Sequence, residues 1–142
     1  MENSKHSQES LNFGANLFNY RRRKSREMLI GSLTLGGDAP IRVQSMTTAN
    51  TLDIELTVAE SVRMIEAGCE LVRITAPSKK EAEALNEISQ ALRELGHDVP
   101  LVADIHFTPN AAEVAADYVE KIWVNPGNYA DKKKFEELSY SD

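Results

Sequence analysis

The sequence predicts an α/β fold built on a parallel sheet, and three observations carry that prediction. Apolar runs of strand length alternate with stretches of helical period, the runs starting at residues 41, 71, 101 and 121. Glycines and a capping pattern punctuate the boundaries between them. Each run passes into polar residues at its carboxyl end, where parallel folds bind ligands. Strand–helix alternation requires right-handed crossovers and a parallel sheet.

The elements follow in order. Residues 1–19 form a polar leader rich in Ser, Asn, Gln and Glu, with Leu11, Phe13, Leu17 and Phe18 scattered through it, and little order is expected there. Residues 20–40 hold a basic segment and a hairpin. Arg21, Arg22, Arg23, Lys24 and Arg26 could bind an anion or nucleic acid, but nothing basic follows them, which favours a solvated lead-in. Met28-Leu29-Ile30 and Leu33-Thr34-Leu35 flank Gly31-Ser32, a hairpin pattern. Residues 41–142 carry the repeating strand–helix unit. Ile41–Met46 reads as its first strand. Residues 54–67 read as a helix with Ile54, Val58, Val62 and Ile65 on one face, stopped by Gly68.

Leu71–Thr75 is the second strand. Residues 78–95 form the second helix, with Ser78 as N-cap, Glu81 three residues on, and a stripe of Ala84, Leu85, Ile88, Leu92 and Leu95 ending at Gly96. Leu101–Ile105 is the third strand. Pro109 suits the first turn of a helix over 109–118. Lys121–Val124 is the fourth strand, Asn125-Pro126-Gly127-Asn128 a turn, and a fourth helix is expected from about Asp131. A small doubly wound sheet and half of an eight-stranded barrel, which needs ~250 residues in full, both fit this pattern. Periodicity does not separate them.

Composition narrows the function classes. The 142 residues are 42% apolar and 27% charged, with a net charge of −6. An acidic balance argues against a dedicated nucleic-acid binder, whose footprint is basic. One cysteine, Cys69, excludes an internal disulfide and an all-cysteine metal site within one chain. No apolar run approaches the ~18 residues of a membrane span, and the first residues lack the pattern of a signal peptide. The cytoplasm is therefore expected, with no membrane partner.

The polar strand ends nominate the site. They supply Gln44, Ser45 and Thr47, then Arg73 and Thr75, then Asp104 and His106, then Asn125, Gly127 and Asn128. Arg73 sits within an apolar strand, and a guanidinium there needs an anion, either Asp104 or a ligand. Asp104 and His106 lie two apart and so share a face, which suits acid–base work or oriented hydrogen bonding. The Asn125–Asn128 segment could cradle a phosphate or be only a turn. Cys69 and Trp123 read as packing residues, and His6 and His97 as surface. Gly36-Gly37 lacks the lysine and hydroxyl residue of a P-loop.

Four motifs then occur in order: Pro40–Thr47, Glu70–Thr75, Val99–Phe107 and Val124–Asn128. With the preceding Arg22–Ser25 segment, they resemble the N-terminal part of the 4-hydroxy-3-methylbut-2-enyl diphosphate synthase family, over roughly residues 20–135. The resemblance implies the N-terminal half of a (β/α)8 TIM barrel, four β–α units preceded by the hairpin. It implies an enzyme of the non-mevalonate isoprenoid pathway that reductively opens 2-C-methyl-D-erythritol 2,4-cyclodiphosphate and eliminates water. It further implies a [4Fe-4S] cluster fed by ferredoxin or flavodoxin, and a homodimer when full length. By position, Arg73 matches the family's diphosphate-binding arginine, Asp104 and His106 its Asp-x-His, Asn125 the asparagine after strand four, and Gln44 a floor residue.

Two departures qualify what the resemblance implies. Trp123 stands where the family usually has an arginine, and one lost charge-assisted contact costs about 1.5–3 kcal/mol. The 142 residues also lack the later strands and the cluster cysteines, so this chain alone is expected to hold no cluster, to be inactive and to be marginally stable. Two alternatives stay open: a non-catalytic half-barrel remnant, and another TIM-barrel enzyme of the dihydropteroate synthase-like type, with an anionic or pterin ligand.

Overall fold

The computed structural model describes residues 24–127 and Tyr129. The leader over 1–19, Arg21 to Arg23, Asn128 and the helix expected from Asp131 lie outside the described residues. Strands β1 (Met28–Ile30) and β2 (Leu33–Leu35) pair antiparallel, Met28 opposite Leu35 and Ile30 opposite Leu33. Gly31 turns the hairpin at φ +55°, and a Cβ there would lie 3.0 Å from Pro100 Cγ. Both the left-handed backbone and the close approach call for glycine.

The second sheet is built from β3 (Gln44–Met46), β4 (Leu71–Thr75), β5 (Leu101–Ile105) and β6 (Lys121–Val124), parallel and in sequence order. Three helices connect them: α1 (Ile54–Glu66), α2 (Lys79–Glu94) and α3 (Pro109–Ala115). Asp53 caps α1 by accepting from the Leu56 N–H at 3.0 Å, and Ser78 caps α2 by accepting from the Lys80 N–H at 3.2 Å. Gly68 and Gly96, at φ +96° and +86°, follow the ends of α1 and α2.

Register sorts the strand residues into two faces. Val72, Ile74, Leu101, Ala103 and Ile105 turn one way and pack with Leu85, Ile88 and Leu92 of α2, Ala111 and Ala115 of α3, and Val58 of α1. All three helices thus cover one face, with α2 packed against both neighbours. A doubly wound sheet would place helices on both faces. The single helical layer is the arrangement of a barrel wall, which settles the ambiguity left by periodicity. On the opposite, inner face a smaller cluster joins Leu71 and Val102 to Ile30, with Leu33, Leu35 and Trp123 against it. The hairpin therefore covers the amino end of the inner face, its turn beside Pro100 and Glu120 at the starts of β5 and β6.

Three boundaries differ from expectation. The first strand begins at Gln44, not Ile41. The Glu70 carboxylate takes the Val43 N–H at 2.9 Å and the Arg42 guanidinium at 2.8 Å, so a side chain occupies the amide that a ladder would have used. Those two contacts, Val43 first, hold the Glu70 carboxyl below its ordinary range. The third helix stops at Ala115 rather than 118, where Asp117 and Tyr118 donate to the carbonyls three residues back and tighten the last turn. Leu95, expected on the α2 stripe, is exposed beyond the end of that helix.

Candidate functional site

The candidate site lies on the inner face at the carboxyl ends of β4, β5 and β6. Arg73 sits between Leu71 and Thr75 on β4, and the pleat aims its side chain inward. Asp104 pairs across the ladder with Thr75 on one side and Trp123 on the other. The Arg73 Nε and Nη2 groups both donate to Asp104 Oδ2, at 3.0 and 2.5 Å. The Asp104 side chain is only 3% exposed and Arg73 22%. A carboxylate so buried requires a cation, and Arg73 supplies it. Of the two partners that the sequence left open for Arg73, the structure therefore shows Asp104.

The pairing leaves chemistry over. Asp104 Oδ1 is buried and accepts no hydrogen bond. His106 Nε2 approaches it to 3.5 Å, beyond a good hydrogen bond. Arg73 Cζ lies over the Trp123 ring, 4.1 Å from a ring centroid, a cation–π contact. The His106 imidazole is 6.2 Å from the Trp123 ring and 6.3 Å from that of Phe107. Phe107 itself is exposed and adopts φ +56°, a left-handed conformation that costs a bulky residue energy and tends to occur at binding sites. The arrangement offers a guanidinium, a carboxylate oxygen able to accept, and an imidazole able to hold or release a proton.

The loop from Thr47 to Asp53, between β3 and α1, is pinned beside this cluster. The Thr47 N–H donates to the Arg73 carbonyl at 2.9 Å and the Thr51 hydroxyl to the Thr75 carbonyl at 2.6 Å. Glu60 of α1 accepts from the Thr48 N–H, the Thr48 hydroxyl and the Ala49 N–H, at 2.9, 2.8 and 2.9 Å. Burial raises the Glu60 pKa, but the Ala49 and Thr48 hydrogen bonds and the charge of Arg63 outweigh it and leave it lowered.

The structure gathers Arg73, Asp104 and His106 and adds Trp123. Gln44 opens β3 opposite Leu71, a layer nearer the amino end than Arg73, and is exposed. Asn125 follows β6, with its Oδ1 accepting from the Gly127 N–H at 3.0 Å in a local turn rather than joining the cluster. The packing role read for Trp123 holds for its contact with the hairpin cluster and omits its stack on Arg73. Sequence reasoning also missed Glu60, whose helical position looks like any solvated glutamate. The run of Thr47, Thr48, Asn50 and Thr51 was the available hint of a loop needing an acceptor.

The residues present do not fit an iron–sulfur cluster, which takes several thiolates. Cys69 is buried, its sulfur donating to the Leu71 carbonyl at 2.8 Å and accepting from the Ser45 N–H. Among the described residues no group of three His, Cys, Asp or Glu side chains could hold a metal ion. No helix among them is long and apolar enough to cross a membrane.

Comparison with known proteins gives a consistent result. Residues 25–141 match the model of the GcpE TIM-barrel domain. The chain is 55% identical over 126 residues to the 4-hydroxy-3-methylbut-2-en-1-yl diphosphate synthase (flavodoxin) of Parabacteroides distasonis, covering 88% of this chain and 21% of that protein. It is 52% identical over 125 residues to the enzyme of the same name from Akkermansia muciniphila, covering 88% and 21%. With that of Chlorobaculum tepidum it shares 48% over 132 residues, covering 93% and 18%. The chain spans about a fifth of the length of these relatives.

Proposed function

The chain belongs to the GcpE TIM-barrel domain family, and from that premise we propose that it forms the substrate-binding part of the barrel of a 4-hydroxy-3-methylbut-2-enyl diphosphate synthase. The reaction is the reductive opening of 2-C-methyl-D-erythritol 2,4-cyclodiphosphate with loss of water. The observation that carries the reading is the Arg73–Asp104–His106 constellation on the inner face at the carboxyl rim. Family membership removes the dihydropteroate synthase-like alternative.

The roles follow from the groups. Arg73 donates charge-assisted hydrogen bonds to the diphosphate through the N–H groups that Asp104 leaves unused. Asp104 Oδ1, buried and without a hydrogen bond, accepts from a substrate hydroxyl. His106 places its imidazole Nε2 3.5 Å from that oxygen, within reach of the same substrate group. Asn125 and Gln44 line the approach and the floor. Electrons come through a [4Fe-4S] cluster held outside these residues and, as the relatives' names indicate, from flavodoxin. The whole enzyme works as a cytoplasmic homodimer, and 41–142 are the barrel units of the present chain.

Calorimetric titration of the chain with the cyclodiphosphate tests the reading. Saturable binding is expected, lost at least tenfold in Arg73→Ala. Equal binding by wild type and variant would sink the assignment of Arg73. A second reading, a half-barrel remnant without substrate affinity, draws on Trp123 standing where the resemblance leads one to expect an arginine and on Arg73 being already paired with Asp104. Absence of binding would favour it.

A further inference from the structure

The Arg73–Trp123 stack carries an inference that deepens the anion-site reading and rests on it. A guanidinium has five N–H groups. Among the described residues its hydrogen bonds run to one atom, Asp104 Oδ2, through Nε and Nη2. Its central carbon, Cζ, lies over the indole, 4.1 Å from a ring centroid. The indole is itself backed by the hairpin cluster of Ile30, Leu33 and Leu35 with Leu71 and Val102, so it is a supported wall. What remains for a ligand is the outer edge of the plane, the Nη1 side. That edge matches two oxygens of one phosphoryl group in a bidentate fork.

We propose that Trp123 is the positioning residue of this rim. It holds the Arg73 guanidinium in one plane against Asp104, so that the outer edge receives a single phosphoryl group in a fixed direction. An aliphatic side chain at 123 would let the plane tilt off Asp104. A second cation there would add charge but repel Arg73. The indole supplies orientation without charge, and so binding at this rim is directional rather than tight.

Trp123 is the chain's single tryptophan, and its fluorescence reports the stack directly. The test uses the 142-residue chain, Trp123→Phe and Trp123→Leu, with inorganic pyrophosphate followed by calorimetry and, in wild type, by fluorescence. A ligand-free arm measures hydrogen exchange of the Arg73 Nε–H by NMR. Trp123→Phe, which keeps a ring, should stay within about twofold of wild type, and Trp123→Leu should bind about 5- to 10-fold more weakly. Exchange at Nε should quicken about fivefold or more in Trp123→Leu alone. Equal exchange in all three chains overturns the positioning role whatever the ligand does. Tighter binding by Trp123→Leu overturns it too, because the indole would then be hiding the guanidinium. A clear exchange difference with no pyrophosphate bound by any chain upholds the positioning role and defeats the anion-site reading. If Trp123→Leu does not fold by circular dichroism, Trp123→Met, which keeps more of the packing, takes its place.

Discussion

The two faces of the four-stranded sheet are built on different terms. The face under the helices is finished: Val72, Ile74, Ala103 and Ile105 are fully buried against Leu85, Ile88 and Ala111. The inner face carries an apolar cluster at its amino end, beneath the hairpin, and a charge pair at its carboxyl end. Gln44 and Met46 on the same face are exposed. The helical face holds the chain together, while the inner face holds a buried charge pair that burial alone would never favour. Stability and chemistry are separated by a single residue step along each strand, because successive side chains alternate in direction.

The sharpest way to break this comparison is to cut a side chain from each face. Ile74→Ala should cost about 2–5 kcal/mol in urea denaturation, since the site is sealed and a cavity remains. Met46→Ala on the open face should cost within about 0.5 kcal/mol. Comparable losses would mean that the inner face is as well packed as the outer.

The charge pair comes next. Arg73→Met leaves Asp104 buried without its cation and should cost about 3 kcal/mol. The double variant Arg73→Met with Asp104→Leu should recover most of that loss, because an apolar pair of similar volume avoids desolvation. A double variant as unstable as the single one would show that the pair stabilises the fold as well as equipping the site.

A smaller effect is expected at the hairpin. Gly31→Ala should cost about 1–2 kcal/mol, from the left-handed backbone and the contact with Pro100. The same change at Gly68, where nothing lies within 4 Å of the added carbon, should cost less by the margin of the Pro100 contact.

The smallest effect is pH-dependent and concerns the rim loop. Glu60 has a folded pKa below the ordinary 4.5, so its contribution is present above that value and fades as the pH falls through the lowered one. Glu60→Gln should cost about 1 kcal/mol at pH 7. The two chains should converge in acid. A difference that persists at pH 2.5 would place the effect in packing rather than charge.

These contrasts also explain what could be read in advance. The hairpin, β4, β5, β6 and both glycine stops follow from local rules of period and turn chemistry, and they stand where the sequence places them. The start of β3 was misread because Ile41, Val43 and Ser45 alternate like a strand, while the Glu70 carboxylate that takes the Val43 amide lies 27 residues away. Helix α3 was read too long because its alanines are good helix formers, whereas its end is fixed by tightened carbonyl contacts. At the site, Arg73, Asp104 and His106 were legible as charged groups among apolar neighbours. The Trp123 stack was not, since it joins β4 to β6 across the intervening strand and depends on register.

The hairpin has one more consequence. It shuts the amino end of the inner face with Ile30, Leu33 and Leu35. Along the strand direction, then, the hairpin closes the approach from the amino end, and Arg73 is reached from the carboxyl rim. A blocker need not imitate the substrate to stop such a site. Something wide enough to rest across the rim, touching Phe107 on its exposed side, would stop arrivals and departures together.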